Sequence, residues 1–470
     1  MTTVGAQFLR RKIESVGATG RTLPLGSGTV SGAVRTTGGE AVGESRVLGL
    51  IVEEQISYRD RLFVTPAVRF DDSSAFGRNL GQAAYPRIGV SYVISEEPWF
   101  EGLVPGSFLT SLRLRGSWGQ SGRQPAAFAA LKLLDTRRVT LEDEDAVGLV
   151  LAGPGNPELK GERGEEIELG FEVTAFDARF GAEFTWYRKT TKDAIVGRDL
   201  APSTGYAAPI FRNVGEVRNQ GAELEVTGLI LNGERVRWDA QWRISGNTNR
   251  IVELDEPIIY GLGRNSQRLQ EGYPFGAYFS RIYQISSSGA VASSDSSLYV
   301  GQPAPTVEGS ASTSVTFDGW VTLSAQMGYA LGFQQFNSTE WFRCSAFGGG
   351  EYGGVCPELY ATDANGELTG NALLKQAAGA DFEIAPWIEP ADFFRLRNVS
   401  LRFEIPGSWL GRIRASGGSF TLAAENVLLL TNYTGLDPEV NFAGGDLTLR
   451  AEFFTLPPAK RLTGRLSLSF

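Results

Sequence analysis

Glu166-Ile-Glu-Leu-Gly-Phe-Glu-Val-Thr-Ala175 and, just beyond it, Arg179-Phe-Gly-Ala-Glu-Phe-Thr-Trp-Tyr187 are the stretches that decide the fold. In the first, Ile167, Leu169, Phe171, Val173 and Ala175 fall on one side of an extended chain; Glu166, Glu168, Gly170, Glu172 and Thr174 fall on the other. In the second, Phe180, Ala182, Phe184 and Trp186 oppose Arg179, Gly181, Glu183, Thr185 and Tyr187. Successive side chains of a strand point to opposite faces, so a period of two marks a strand with one apolar and one polar face. The short link at Asp177-Ala178 joins the two strands as an antiparallel hairpin.

The same pattern extends in both directions. Ala222, Leu224 and Val226 alternate with Glu223, Glu225 and Thr227; the chain is expected to turn at Asn232-Gly233 and to return with Val236, Trp238, Ala240, Trp242 and Ile244 against Arg235, Arg237, Asp239, Gln241 and Arg243. A further hairpin runs from Ala311 to Phe317, turns at Asp318-Gly319, and returns from Val321 to Tyr329. Helix-period patterns are weak by comparison. About 15 strands follow from this reading, many near the ~9–11 residues that cross a bilayer when tilted. Tight turns alternate with long Gly-, Ser- and Pro-rich connections, such as 123–163, 255–275 and 337–390.

Each strand thus presents a face charged with both signs and a face of Leu, Val, Ala, Phe and Trp. A water-filled lumen and a lipid surface would ask for that pair of faces, and a closed sheet leaves no backbone group unpaired in lipid. The expected fold is therefore all-β, an antiparallel transmembrane β-barrel with long extracellular loops and short periplasmic turns. A large soluble all-β protein, secreted or surface-attached and binding a ligand, is the alternative. Glu168, Glu172, Glu223, Glu225, Arg235 and Arg237 are the expected lumen-facing charges. Trp186, Trp238, Trp242, Tyr329 and Phe403 fall on apolar faces, as girdle residues would.

Composition excludes several kinds of activity. The chain of 470 residues has 44 basic and 53 acidic side chains, a net charge of −9, which argues against a nucleic-acid partner. It has no histidine, so Ser-His-Asp and Cys-His catalysis and His-ligated metals are ruled out. Glu53-Glu54 and Glu165-Glu166 are adjacent on strands, point to opposite faces and cannot flank one glycosidic bond. Asp71, Asp72 and Ser73 read as a polar loop tip rather than a Ca²⁺ site. No enzyme activity, cofactor or metal is expected. The mean hydropathy of −0.12 averages the two faces.

Cys344 and Cys356 lie in a Gly-rich segment. A short-loop disulfide, and with it an oxidising compartment, is the simple reading; two separate thiols is the other. Around them, Trp341, Phe342 and Tyr352 are candidate contacts for a ligand or partner. The last strand carries Leu462, Gly464, Leu466, Leu468 and Phe470 on one face. Leu466, Leu468 and the terminal Phe470 resemble the C-terminal signal of outer-membrane assembly, with Gly464 one residue further from the end than is usual there.

Several segments resemble the SusC/RagA type of TonB-dependent outer-membrane receptor. They are Tyr58-Arg-Asp-Arg-Leu-Phe-Val-Thr-Pro-Ala-Val-Arg-Phe-Asp-Asp-Ser-Ser-Ala-Phe-Gly77, Tyr85-Pro-Arg-Ile-Gly-Val-Ser-Tyr-Val-Ile-Ser-Glu-Glu97, Leu112-Arg-Leu-Arg-Gly-Ser-Trp-Gly-Gln-Ser-Gly122, Asn156-Pro-Glu-Leu-Lys160, Asn213-Val-Gly-Glu-Val-Arg-Asn-Gln-Gly-Ala-Glu-Leu224, Phe394-Arg-Leu-Arg-Asn-Val-Ser-Leu401, Ala424-Glu-Asn-Val-Leu-Leu-Leu-Thr-Asn-Tyr433 and Leu436-Asp-Pro-Glu439, in the family order. The resemblance implies import of a large nutrient, an oligosaccharide or a peptide, at the outer membrane of a Gram-negative cell. It also implies a SusD-like surface lipoprotein as partner, outer-membrane lipid around the barrel, and a TonB complex acting through an N-terminal plug. A plug, a TonB box and a signal peptide are not read in this chain; Met1 to Arg10 already reads as strand. Residues 1–470 are therefore expected to be the C-terminal part of such a barrel, about 15 of about 22 strands, with a passive porin-like channel as the alternative. Pro66, inside a strand, calls for a bulge or an edge.

Overall fold

The computed structural model describes residues 1–76, 83–101, 108–141, 144–198, 200–206, 208–261, 266–345 and 356–470. One sheet of 15 strands dominates it. Fourteen of them form the wall and are labelled here: β1 Thr2–Arg21, β2 Arg35–Glu54, β3 Leu62–Ser73, β4 Ala83–Val93, β5 Leu109–Arg123, β6 Glu162–Ala175, β7 Phe180–Lys192, β8 Gly215–Asn232, β9 Val236–Leu254, β10 Val307–Phe317, β11 Val321–Leu331, β12 Phe393–Glu404, β13 Gly417–Thr431 and β14 Arg461–Ser469. Each is bonded to the next in chain order, and a short strand, Ile56–Tyr58, also pairs with β3. Among the described residues the order is open, ending on β1 and on β14.

The chain divides into two compact units, 1–90 with 117–167 and 190–216, and 91–116 with 168–189 and 217–470. In the first, β1 and β2 pair over their full length, from Thr2↔Glu54 to Arg21↔Arg35. The β2–β3 ladder stops at Glu53↔Ala67 and the short strand Ile56–Tyr58 takes up the pairing at Ile56↔Val64, so Pro66 sits at a gap in the ladder on that side. The connection 124–161 carries a second hairpin, Leu133–Leu141 with Glu144–Gly153, that the alternation analysis did not separate from loop.

In the second unit the two faces can be followed from strand to strand. Trp238, Val315, Leu323, Leu401, Leu422 and Gly464 are register partners in turn across β9 to β14. So are Gln241, Ser312, Gln326, Asn398, Glu425 and Arg461. One row is apolar and the other polar, as a period of two requires. The Asp318-Gly319 turn has positive φ at both residues, the geometry of the tight hairpin turn that matches strand twist. Asn232 instead ends β8, and the reversal is made by Gly233, Glu234 and Arg235. Arg235 is thus an exposed residue of the turn just before β9, its carbonyl still accepting the Asp318 N–H at 2.6 Å.

Tyr329 lies across Gly309 on the neighbouring strand, where any Cβ would collide with its hydroxyl. That hydroxyl accepts the Trp242 indole N–H at 3.0 Å and donates to the Arg243 carbonyl at 3.1 Å. Tyr329 is therefore buried, whereas Trp186, Trp238 and Trp242 on apolar faces are 37–41 % exposed.

The best-buried side chains of this unit lie in the connections rather than the wall. Tyr278 and Tyr283 come from 255–306, Phe336, Trp341, Cys344, Cys356, Ile384 and Trp387 from 332–392, and Ala451 from 432–460, and together they form one apolar core. Within it, the helix Ser338–Cys344 is capped by Asn337, whose side chain accepts the Glu340 N–H at 3.1 Å. The helix Gly370–Ala380 is capped by Thr369. Lys375 and Glu340 form a buried ion pair between the two helices.

Candidate functional site

Where this loop layer meets the polar face of β7 to β12, the structure forms an open cavity of about 710 Å³. Glu183, Glu223, Glu225, Arg243, Glu308 and Arg397 come from the wall, and Phe333, Glu439 and Arg450 from the loop layer. Some of these charges neutralise one another. Arg243 Nε donates to Glu225 at 2.9 Å, and Arg115 donates to Glu183 at 2.5 Å. Exposed pairs of this kind contribute little stability, but they fix the side chains that border the space.

The loop segment 432–460 is fastened to the wall by a denser network. Arg395, on β12 and 3 % exposed, donates to both carboxylate oxygens of Asp437 at 2.6 and 2.7 Å. Arg397 donates to Glu439 at 2.6 Å. Asp437 also accepts the Glu439 backbone N–H at 2.9 Å. The two family-like segments Phe394–Leu401 and Leu436–Glu439, far apart in sequence, are thus one structural device.

The geometry depends on a bulge. Gln326 pairs with Asn398 and Met327 with Leu396, so Arg397 is skipped; it is skipped again where Leu396 pairs with Leu428 and Asn398 with Glu425. Asn426 on β13 takes φ +52° to allow the second shift. Without the bulge, Arg397 would share the apolar face with Val399 and Leu401. With it, Arg397 and Asn398 both lie on the polar side. Gly328, paired with Arg395, leaves room for the Arg397 guanidinium, whose Nε lies 2.5 Å from where a Cβ would sit.

The expected polar-face residues are distributed unevenly. Glu172 is ion-paired with Arg113 and Arg115 at 3.4 and 3.5 Å. Glu223 and Glu225 border the cavity. Arg237 pairs with Asp239 on its own strand at 3.1 Å, and Glu168 lies on β6 away from the cavity lining. Cys344 and Cys356 are joined by a disulfide, with Cα atoms 5.3 Å apart. Trp341 is buried and donates its indole N–H to the Glu383 carbonyl at 3.2 Å. It is a core residue of the loop layer and not a surface contact, because it lies on the inward face of its short helix. Phe342 packs edge-on against Phe453 and Phe454. Tyr352 lies outside the described residues. Leu466 and Leu468 are exposed on one side of β14, opposite Phe420 and Gly418, and Phe470 follows the strand's end.

Arg395, Arg397, Asp437, Glu439 and Arg450 were not picked out by alternation. The one signal for them is local: Arg397-Asn398 places two polar residues in succession where the pattern calls for one.

Residues 2–427 match the family described as TonB dependent receptor-like, beta-barrel, and the chain belongs to that family. It is an outer-membrane β-barrel protein of a family of transporters and receptors, and the resemblance to SusC/RagA-type receptors holds. Among the described residues no helix is long and apolar enough to cross a membrane. TonB-dependent receptor P3 of Formosa agariphila is 23 % identical over 474 residues, covering 93 % of this chain and 47 % of the relative. TonB-dependent receptor SusC of Bacteroides thetaiotaomicron is 21 % identical, covering 82 % of this chain and 40 % of the relative. In fold the chain is similar to the RagAB peptide transporter, with a TM-score of 0.82 and 23 % identity over 100 % of this chain and 53 % of that one. The chain spans about half the length of these proteins.

Membrane placement gives the two faces a test. Leu401→Arg, in the apolar row, should cost about 2–4 kcal/mol if that position lies near the bilayer midplane. Ser400→Arg, one residue away on the polar face, should cost almost nothing. The folded fraction in liposomes, read from heat-modifiable gel mobility, checks the contrast; equal losses would contradict the assignment of faces.

Proposed function

We propose that residues 1–470 form the C-terminal part of the barrel of a receptor that imports a large nutrient, an oligosaccharide or a peptide, across the outer membrane. The observation that carries this reading is the cavity between the loop layer and the polar wall, in a chain of this family. Its bordering side chains are charged with both signs and include an aromatic ring, so it offers hydrogen bonds and a stacking surface to a polar ligand rather than a site for covalent chemistry. The folded loop layer would recognise the ligand, and Glu172, Glu223, Glu225 and Arg237 would line the lumen. Passage would be coupled to TonB through a plug, and a SusD-like lipoprotein would cover the outer face. Leu466, Leu468 and Phe470 would serve barrel assembly.

The chain, purified in detergent from outer membranes, should bind members of one of two panels saturably, short peptides or oligosaccharides, by titration calorimetry. Binding from neither panel would refute the reading. A steady ohmic conductance in planar bilayers without ligand binding would favour a passive channel instead.

A further inference from the structure

Arg450 is a cation of the cavity that no carboxylate touches directly among the described residues; Glu439 and Glu308 act on it only at longer range. Arg243 and Arg397 each have a carboxylate partner within 3 Å. Arg450 donates from Nε to the Gln335 side-chain oxygen at 3.3 Å and from Nη2 to the Pro438 carbonyl at 3.2 Å, both neutral acceptors. Among the described residues no carboxylate lies within ion-pair distance of it. Its guanidinium sits over the Phe333 ring, 4.9 Å from the centroid, which holds the plane in place without neutralising the charge. Burial lowers its pKa from the ordinary arginine value, the expected mark of a cation taken out of water.

A guanidinium withdrawn from water is ordinarily matched by an anion. This one borders an open cavity and is fixed by two hydrogen bonds and an aromatic face, so its orientation is set before any ligand arrives. The same cavity carries Glu223 and Glu308, which have no ion-pair partner among the described residues. These carboxylates would repel a ligand bearing many negative charges. One anionic group, placed at Arg450, suits both facts.

We propose that Arg450 is an anion subsite of this cavity and that the ligand it takes carries a single carboxylate. The proposal rests on the reading of the cavity as a ligand site. The group could belong to the free C-terminus of a peptide or to one uronic acid on an otherwise neutral oligosaccharide, since a planar guanidinium receives either in the same way.

The test uses the full chain in detergent and four probes: a tetrapeptide with a free C-terminus, the same peptide as its C-terminal amide, an otherwise neutral tetrasaccharide ending in one glucuronic acid, and that saccharide as its methyl ester. At least one carboxylate probe should bind, and which one identifies the source. If it is the peptide, its amide should bind about tenfold more weakly; if it is the saccharide, the methyl ester should do so. Arg450→Gln should reduce the acid to the level of its uncharged form and leave that form unchanged. Glu308→Gln, an exposed change that does not threaten folding, should tighten the acid a few-fold relative to the uncharged form. Equal binding of acid and uncharged form by the native chain, or insensitivity of the acid to Glu308→Gln, overturns the proposal while leaving the ligand site standing. No binding by any probe refutes the ligand site as well.

Discussion

Arg395→Met should destabilise the protein by about 3–5 kcal/mol, the usual loss when one partner of a buried ion pair is removed. Asp437 is 2 % exposed, and after the change it would keep the Glu439 backbone N–H as a donor but no cation. The side chain that replaces arginine is apolar and of similar length, so packing is largely kept and the loss reports the stranded Asp437 carboxylate together with the ion pair that Arg395 Nε makes with Glu439 at 2.5 Å. Two comparisons make the assignment specific. Arg397→Gln, whose side chain is 41 % exposed, should cost about 1 kcal/mol or less, because Glu439 keeps its ion pair with Arg395 and is open to water. Arg395→Met combined with Asp437→Leu should recover most of the stability, since no buried charge is then left unpaired. Urea titration of liposome-inserted protein, followed by gel mobility, gives all three values. An Arg395→Met loss no larger than that of Arg397→Gln would show that the pair does not hold the loop segment down.

The contrast between these two arginines explains what could be read before the structure. Trp238, Leu323 and Leu401 were legible as one face, and Gln241, Ser312 and Gln326 as the other, because lipid and water impose opposite chemistry on alternate residues of every strand. Asp318-Gly319 was legible because that turn needs two residues that tolerate positive φ. The bulge at Arg397 breaks the period for one residue and switches which parity faces lipid, so a strict alternation misassigns everything on one side of it. Arg235 shows the same weakness at a strand end, where the turn runs one residue longer and the strand begins only at Val236.

The loop layer was least legible for a different reason. Its core residues, such as Tyr278, Phe336 and Trp387, come from three connections and meet through tertiary packing, which no local period records. Trp341 and Phe342 illustrate this: both are aromatic and adjacent, and only packing decides that one is core and the other is not. The disulfide could be suggested from spacing alone because it closes a short loop within one connection. Arg450 had no local signal at all; its character comes from what surrounds it.

Trp387→Ala should cost about 3–5 kcal/mol, but locally. Trp387 is fully buried among the residues of the loop core, with the Lys375 ammonium 5.8 Å from its ring centroid, and the cavity left by its removal cannot be refilled by short side chains. The wall does not share that core: its strands are held by ladder hydrogen bonds and by the surrounding lipid. The loss should therefore appear as early protease cleavage within 255–306, 332–392 and 432–460, while the wall keeps its heat-modifiable mobility. Trp387→Phe separates packing from polarity. Among the described residues the indole N–H has no hydrogen-bond partner, so phenylalanine loses volume yet removes an unsatisfied donor, and its cost should be well below that of alanine. Trp238→Ala, on the outer face of the wall, should leave loop cleavage unchanged. If Trp387→Ala lowered the wall's melting as much as it sped loop cleavage, loop layer and wall would unfold as one cooperative unit, and the loops could not close over a ligand independently of the barrel beneath them.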